Sequence, residues 1–156
     1  MRAILLFVAT CILLSACGSE DEELLSVKLK SESQYIKTGI SCGYCAGVCL
    51  DSLAVTPNKL IYKRTTWGDG DSKTEIIEQA FTQKGWENLI GLVSLQEFGK
   101  LDMESCARCY DGCDYWLDIK SGGIENSISF VWNEFPPQVD SLTKALNSIK
   151  AQFNDN

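Results

Sequence analysis

Two nine-residue stretches constrain this chain more than anything else in it. Ser41-Cys42-Gly43-Tyr44-Cys45-Ala46-Gly47-Val48-Cys49 and Ser105-Cys106-Ala107-Arg108-Cys109-Tyr110-Asp111-Gly112-Cys113 share the pattern S-C-x2-C-x3-C. Each leads into an alternating apolar stretch, over 50–55 after the first and 115–119 after the second. Two matched triads must bridge to each other, close on themselves, or hold a metal. Bridged Cα atoms lie within about 7 Å, so bridges between the triads would start the strands at Leu50 and Tyr115 at one end of a common sheet. Six cysteines allow about 15 pairings, and spacing alone does not choose among them.

The compartment narrows the choice. Residues 1–16 carry one charge, Arg2, then an apolar run and small residues. A spanning helix needs about 20 apolar residues, so this stretch reads as a cleaved export signal. Its end, Leu14-Ser15-Ala16-Cys17, resembles the lipobox of bacterial lipoproteins, which implies that Cys17 becomes the lipidated first residue. Buried methylenes contribute about 0.8 kcal/mol each, so several acyl chains hold a protein to a membrane without a spanning helix. Cys11 leaves with the signal, and the domain keeps the six triad cysteines. Gly18 in place of Asp after the lipid cysteine implies the outer membrane. Ser19-Glu20-Asp21-Glu22-Glu23 resembles the acidic export tag of surface lipoproteins, and equally reads as a solvated leash. The expected organisation is a signal over 1–16, a lipidated acidic tether over 17–33 and one domain over 34–156, on the periplasmic or surface face of the outer membrane.

Disulfides are the default for a small exported domain with a modest core, and all of Cys42, Cys45, Cys49, Cys106, Cys109 and Cys113 are assigned to them. Two alternatives stay open. Cys42, Cys45, Cys106 and Cys109 could form a four-thiolate zinc site, which leaves Cys49 and Cys113 unused and needs thiolates to survive oxidation. Cys42-Gly43-Tyr44-Cys45 resembles the C-G-x-C of thioredoxins, implying a thiol-disulfide oxidoreductase, but no βαβ context surrounds it.

The chain has no histidine, which removes the commonest general base and the usual partner of cysteine at zinc. Ser141-Leu142-Thr143-Lys144 matches the S-x-x-K of penicillin-binding enzymes but lacks the partner motifs, and the aspartates at 69 and 71 are followed by Lys73 where a calcium loop needs an acid. The formal net charge is −7, and −8 once Arg2 leaves with the signal. Nucleic acid is therefore excluded as a partner, since its binding rests on Lys and Arg neutralising phosphate. The expectation is a binding module, not an enzyme, with no metal and no cofactor. Its partners are the membrane, through the lipid, and an envelope or extracellular protein.

Alternation over 50–55, the turn Thr56-Pro57-Asn58-Lys59 and the return over 60–67 predict a hairpin. Residues 74–81 fit a strand or a helix. Trp86, Leu89, Ile90 and Val93 at i, i+3, i+4 and i+7, behind Thr82 as N-cap, predict a helix over 83–94. Tyr115, Leu117 and Ile119, the turn Ser121-Gly122-Gly123, then Ile128, Phe130 and Trp132 predict a second hairpin. Val139, Leu142, Leu146, Ile149 and Phe153, behind Pro136-Pro137, predict a last helix. The fold class is α+β: an antiparallel sheet of two hairpins, with room for one further strand, two helices on one face, and disulfide staples.

On the strand after the second triad, the core-facing Tyr115, Leu117 and Ile119 leave Trp116 on the other face with Asp114, Asp118 and Lys120. Tyr44, Tyr110 and Trp116 together are the candidate binding patch, because exposed aromatics are enriched where proteins bind. The competing reading packs Trp116 under the tether or a neighbouring loop.

Cys45-Ala46-Gly47-Val48-Cys49-Leu50-Asp51-Ser52-Leu53-Ala54-Val55, followed by a turn and Leu60-Ile61-Tyr62, is similar to the C-x-G-x-C-P-x-Y-x-L-x-I opening of a group of bacterial lipoprotein domains. Phe98-Gly99-Lys100-Leu101 and the closing hairpin, prolines and helix resemble the same group. Leu50 stands where those domains carry proline, and Cys42 and the second triad are additions. More distantly, the order of helix, hairpin, proline and helix resembles the emfourin-like protease inhibitors, which implies inhibition of a protease as a further alternative.

Overall fold

The computed structural model describes residues 34–131 and 134–153; the stretch expected to be an export signal, Cys17, the expected tether over 17–33 and Trp132 lie outside the described residues. Six strands form one antiparallel sheet: β1 (Tyr35–Cys42), β2 (Gly47–Val55), β3 (Lys59–Gly68), β4 (Asp71–Ala80), β5 (Cys113–Ser121) and β6 (Ile124–Phe130), in the order β4-β3-β2-β1-β5-β6. Three helices follow the strands they cover: α1 (Gln83–Ile90), α2 (Leu95–Phe98) and α3 (Asp140–Ala151). No helix among the described residues is long and apolar enough to cross a membrane.

The two predicted hairpins are β2–β3 and β5–β6, and what joins them is β1. This strand pairs on one side with β2, Thr38 opposite Leu53, and on the other with β5, Thr38 opposite Leu117. Successive side chains alternate between faces, so Ile36, Leu53, Val55, Leu60, Tyr62, Leu117, Ile119, Ile128 and Phe130 share one face and are buried there. The ambiguous stretch over 74–81 belongs to a strand, β4, paired with β3 along its whole length.

The helices close that face. Thr82 caps α1, its Oγ1 accepting from the Gly85 amide at 3.1 Å, and Trp86 and Leu89 reach the core. The helix expected to run to 94 stops at Ile90. Gly91 ends it, and Ser94 begins α2 by accepting from the Glu97 amide at 3.4 Å, which turns Val93 and Phe98 onto the core separately. A 3-10 turn over Pro137–Val139 buries Val139 and leads into α3, which lays Leu142 and Leu146 on the sheet. Full burial of such side chains contributes roughly 1.5–3 kcal/mol each. Beyond α3, Phe153 stacks on Tyr62 with ring centroids 5.0 Å apart.

Candidate functional site

Register brings the two triads together. Cys42 ends β1 directly opposite Cys113, the first residue of β5, and the two are joined by a disulfide with Cα atoms 4.1 Å apart. Because β2 and β5 both run antiparallel to β1, they start at the same end of the sheet, as a bridge between the triads requires. The other two bridges are local: Cys45–Cys49 and Cys106–Cys109, with Cα separations of 5.5 and 5.3 Å. Cys49 is the extra residue of a β-bulge between Val48 and Leu50, and the bend there turns it back toward Cys45.

Cys42 and Cys45 thus belong to different bridges, so the pair read as a C-G-x-C motif is not formed. All six sulfurs are in disulfides, which leaves none of them as a thiolate for zinc. Among the described residues, no group of three or more His, Cys, Asp or Glu side chains is placed to hold a metal ion.

The triad loops are clasped as well as bridged. The Gly43 amide donates to the Gly112 carbonyl at 3.1 Å. A Cβ on Gly43 would overlap the Arg108 carbonyl, so the close approach of the loops requires glycine there. Asp114 organises the second loop from beneath. Its carboxylate accepts from the Ser105 hydroxyl, from the Ala107 amide at 2.7 Å and from the Arg108 amide at 3.4 Å, and pairs with Arg108 Nε at 3.5 Å. The sequence placed Asp114 on an open face beside Trp116; it is buried because it serves as the anchor of this loop. Burial alone would raise its pKa, but the donors from Ser105, Ala107 and Arg108 outweigh it and hold the carboxyl below its usual range. That carboxylate also takes the amides at the start of the 3-10 turn Ala107–Tyr110. In redox motifs, free amides in this position stabilise a thiolate, whereas here Cys106 adjoins a negative charge.

Tyr44 and Tyr110 are 97% and 89% exposed at the tips of the two loops. Tyr44 has φ +30°, a left-handed conformation costly for a bulky residue, and it sits between one bridge at Cys42 and the next at Cys45. Beside it an open cleft of about 580 Å³ is lined by Tyr44, Cys45, Ala46, Cys49 and Trp67. Trp67, opposite Gly47 in the β2–β3 ladder, is 49% exposed. It is the last large side chain of a ten-residue strand, at the end of the return predicted over 60–67.

Trp116 is half-buried, and the tether of the competing reading lies outside the described residues. Trp116 stands opposite Gly39 in the β1–β5 ladder, and a Cβ at Gly39 would come within 2.7 Å of its ring. The ring packs over a bare stretch of neighbouring strand.

At the same end of β2, on the core face, Asp51 joins sheet to helix. It pairs with Lys150 of α3 at 2.8 Å, accepts from the Tyr62 hydroxyl at 3.2 Å and meets Arg64 at 3.4 Å. Burial, then the charge of Asp51, pushes the Tyr62 phenol up to about 12. This cluster fixes α3 on the sheet and so holds β2 and its bulge in place.

No protein-family model and no curated protein matches the sequence. The resemblance to bacterial lipoprotein domains therefore rests on the motif residues quoted for it.

Proposed function

We propose that the protein is a lipid-anchored envelope protein that works by binding a protein partner through the disulfide-held end of its sheet. The observation that carries this reading is Tyr44. A bulky side chain is held at positive φ between two bridges, nearly all of it in solvent, beside a cleft that Trp67 also lines. Nothing in the core benefits from that placement, and a rigid, solvent-facing aromatic loses little freedom when a partner covers it. Tyr110, carried on the clasped second loop, extends the same end. The lipobox-like Leu14-Ser15-Ala16-Cys17 and the acidic stretch after it support attachment to the outer membrane on a tether. The half-buried Trp116 contributes by supporting β1, and Trp67 replaces it as the tryptophan of the patch.

The test is site-specific photocrosslinking in the producing cell, with a photoreactive phenylalanine analogue at Tyr44, Tyr110 or, as control, the exposed Leu92 of the helical layer. Discrete adducts are expected from positions 44 and 110, and loss of the position-44 adduct in a Trp67→Ala background. Equal labelling at 92, or none at 44, overturns the reading.

A further inference from the structure

The two edges of the sheet are treated differently. At β6, the Ser129 amide donates to the Met103 carbonyl at 2.9 Å, the Ser105 amide donates to the Ser129 hydroxyl, and Asn126 Nδ2 donates to the carbonyls of Phe98 and Leu101. The segment after α2 thus covers that edge. At the other edge, β4 is ten residues long and nine of them are exposed. Among the described residues no strand pairs with its outer side, and a long strand with an open ladder side is a template for another strand.

We propose that the protein self-associates through β4, two copies pairing antiparallel about Thr74 so that their two six-stranded sheets become one. Charges on an edge usually discourage pairing, so their order decides the matter. In a two-fold symmetric antiparallel pair, directly opposed residues share a face, and the residue on the axis faces its own copy. Centring on Lys73 or Glu75 sets like charges against each other. Centring on Ser72 sets Lys73 against Asp71 but keeps only residues 71–73 of the strand in the pair, and centring on Ile76 or Ile77 gives Lys73 no acid to face. Centring on Thr74 sets Lys73 against the second copy's Glu75, and by symmetry does so twice.

The rows across the sheet agree with that register. Arg64 lies opposite Glu75 on β3, so Arg64, Glu75 and the second copy's Lys73 alternate in sign along one row. Thr65 and Thr74 hydroxyls already bond at 3.0 Å, and their row continues into the same pair of the second copy. On the same face as those threonines, Trp67 stands opposite the small Ser72, which faces the second copy's Ile76. Two of the exposed apolar side chains of the monomer, Trp67 and Ile76, are brought to neighbouring rows over a serine. Opposed cross-strand charges and apolar neighbours of this kind are what stabilise strand pairs.

The experiment is sedimentation velocity on the full protein in density-matched detergent, at micromolar concentration. Wild type is expected to sediment as a dimer. Lys73→Glu and Glu75→Lys singly are expected to weaken dimerisation at least tenfold, and the double exchange to restore it, with an unchanged far-UV circular dichroism spectrum in all three showing that the fold is intact. A monomeric wild type, single reversals without effect, or no recovery in the double exchange overturns the proposal. Register is read independently by mild oxidation. Opposed residues have Cα atoms about 4.5–5.5 Å apart, within disulfide reach. Thr74→Cys is therefore expected to crosslink two copies readily and Ile76→Cys not to; the reverse order also overturns it.

Discussion

Trp116 and Gly39 are cross-strand partners in which the larger residue occupies the space the smaller one leaves: a Cβ at Gly39 would fall 2.7 Å from Trp116 Cζ2 and 2.8 Å from the Asp51 carbonyl. Gly39→Ala is therefore expected to cost about 1–3 kcal/mol, the range for overpacking a filled site. Emission from Trp116 in a variant lacking the other tryptophans should move to the red as the ring is pushed outward. In a double-mutant cycle with Trp116→Ala, the two costs should fall short of additive, since each change removes the contact the other depends on. Full additivity would show that the ring does not rest on this glycine.

Acid should loosen the second triad loop before the rest of the domain. Asp114 has a folded pKa below its ordinary 3.8, because its hydrogen bonds outweigh its burial. A depressed carboxyl contributes stability that is present above pH 3.8 and is lost as pH falls through the folded value. Urea unfolding of the wild type is thus expected to weaken below about pH 4, and Asp114→Asn, already weakened at pH 7, to show a shallower dependence. Parallel acid profiles for the two proteins would remove Asp114 from the account.

The three bridges should differ in what they hold. Cys42–Cys113 closes a sequence separation of 71 residues, against 4 for Cys45–Cys49 and 3 for Cys106–Cys109. In the chain-entropy treatment the first contributes about 4 kcal/mol and each of the others about 2. Cys42→Ala/Cys113→Ala is expected to lower the thermal midpoint more than either local double substitution. Cys45→Ala/Cys49→Ala should instead leave much of the stability and abolish crosslinking from position 44. An equal fall in midpoint for all three pairs would contradict this division.

Periodicity revealed every element whose side chains are sorted between a buried and an open face. The two predicted hairpins and the stripe Val139, Leu142 and Leu146 are of that kind, and they come out in place. Elements that break the sorting were hidden. β1 is one of the two middle strands, yet Gly39 interrupts its pattern because the space above it is taken by Trp116. β4 alternates weakly because only Ile77, half-buried, is set against the core, and the adjacent Ile76 faces outward. At the candidate site, the matched triads showed that the two loops belong together. They could not show that Cys49 falls on a bulge, and without the bulge nothing favours Cys45 over Cys42 as its neighbour. Asp114 looked like a surface acid, since the three donors it gathers come from residues 105–108, which carry no periodic signal of their own.

Covalent closure of the tip separates two duties that most small domains assign to the same residues. Tyr44, Ala46, Gly47 and Val48 are all exposed, and the loop they form is fixed by sulfur and by the Gly43–Gly112 contact, without help from side-chain packing. Substitution at Tyr44, Ala46 or Val48 leaves the helix-covered face of the sheet untouched, so these three positions are free to diversify at constant stability, whereas Gly47, at φ +94°, is held to glycine. If this end binds as proposed, a lineage of such proteins can retarget it one side chain at a time while inheriting an unchanged scaffold.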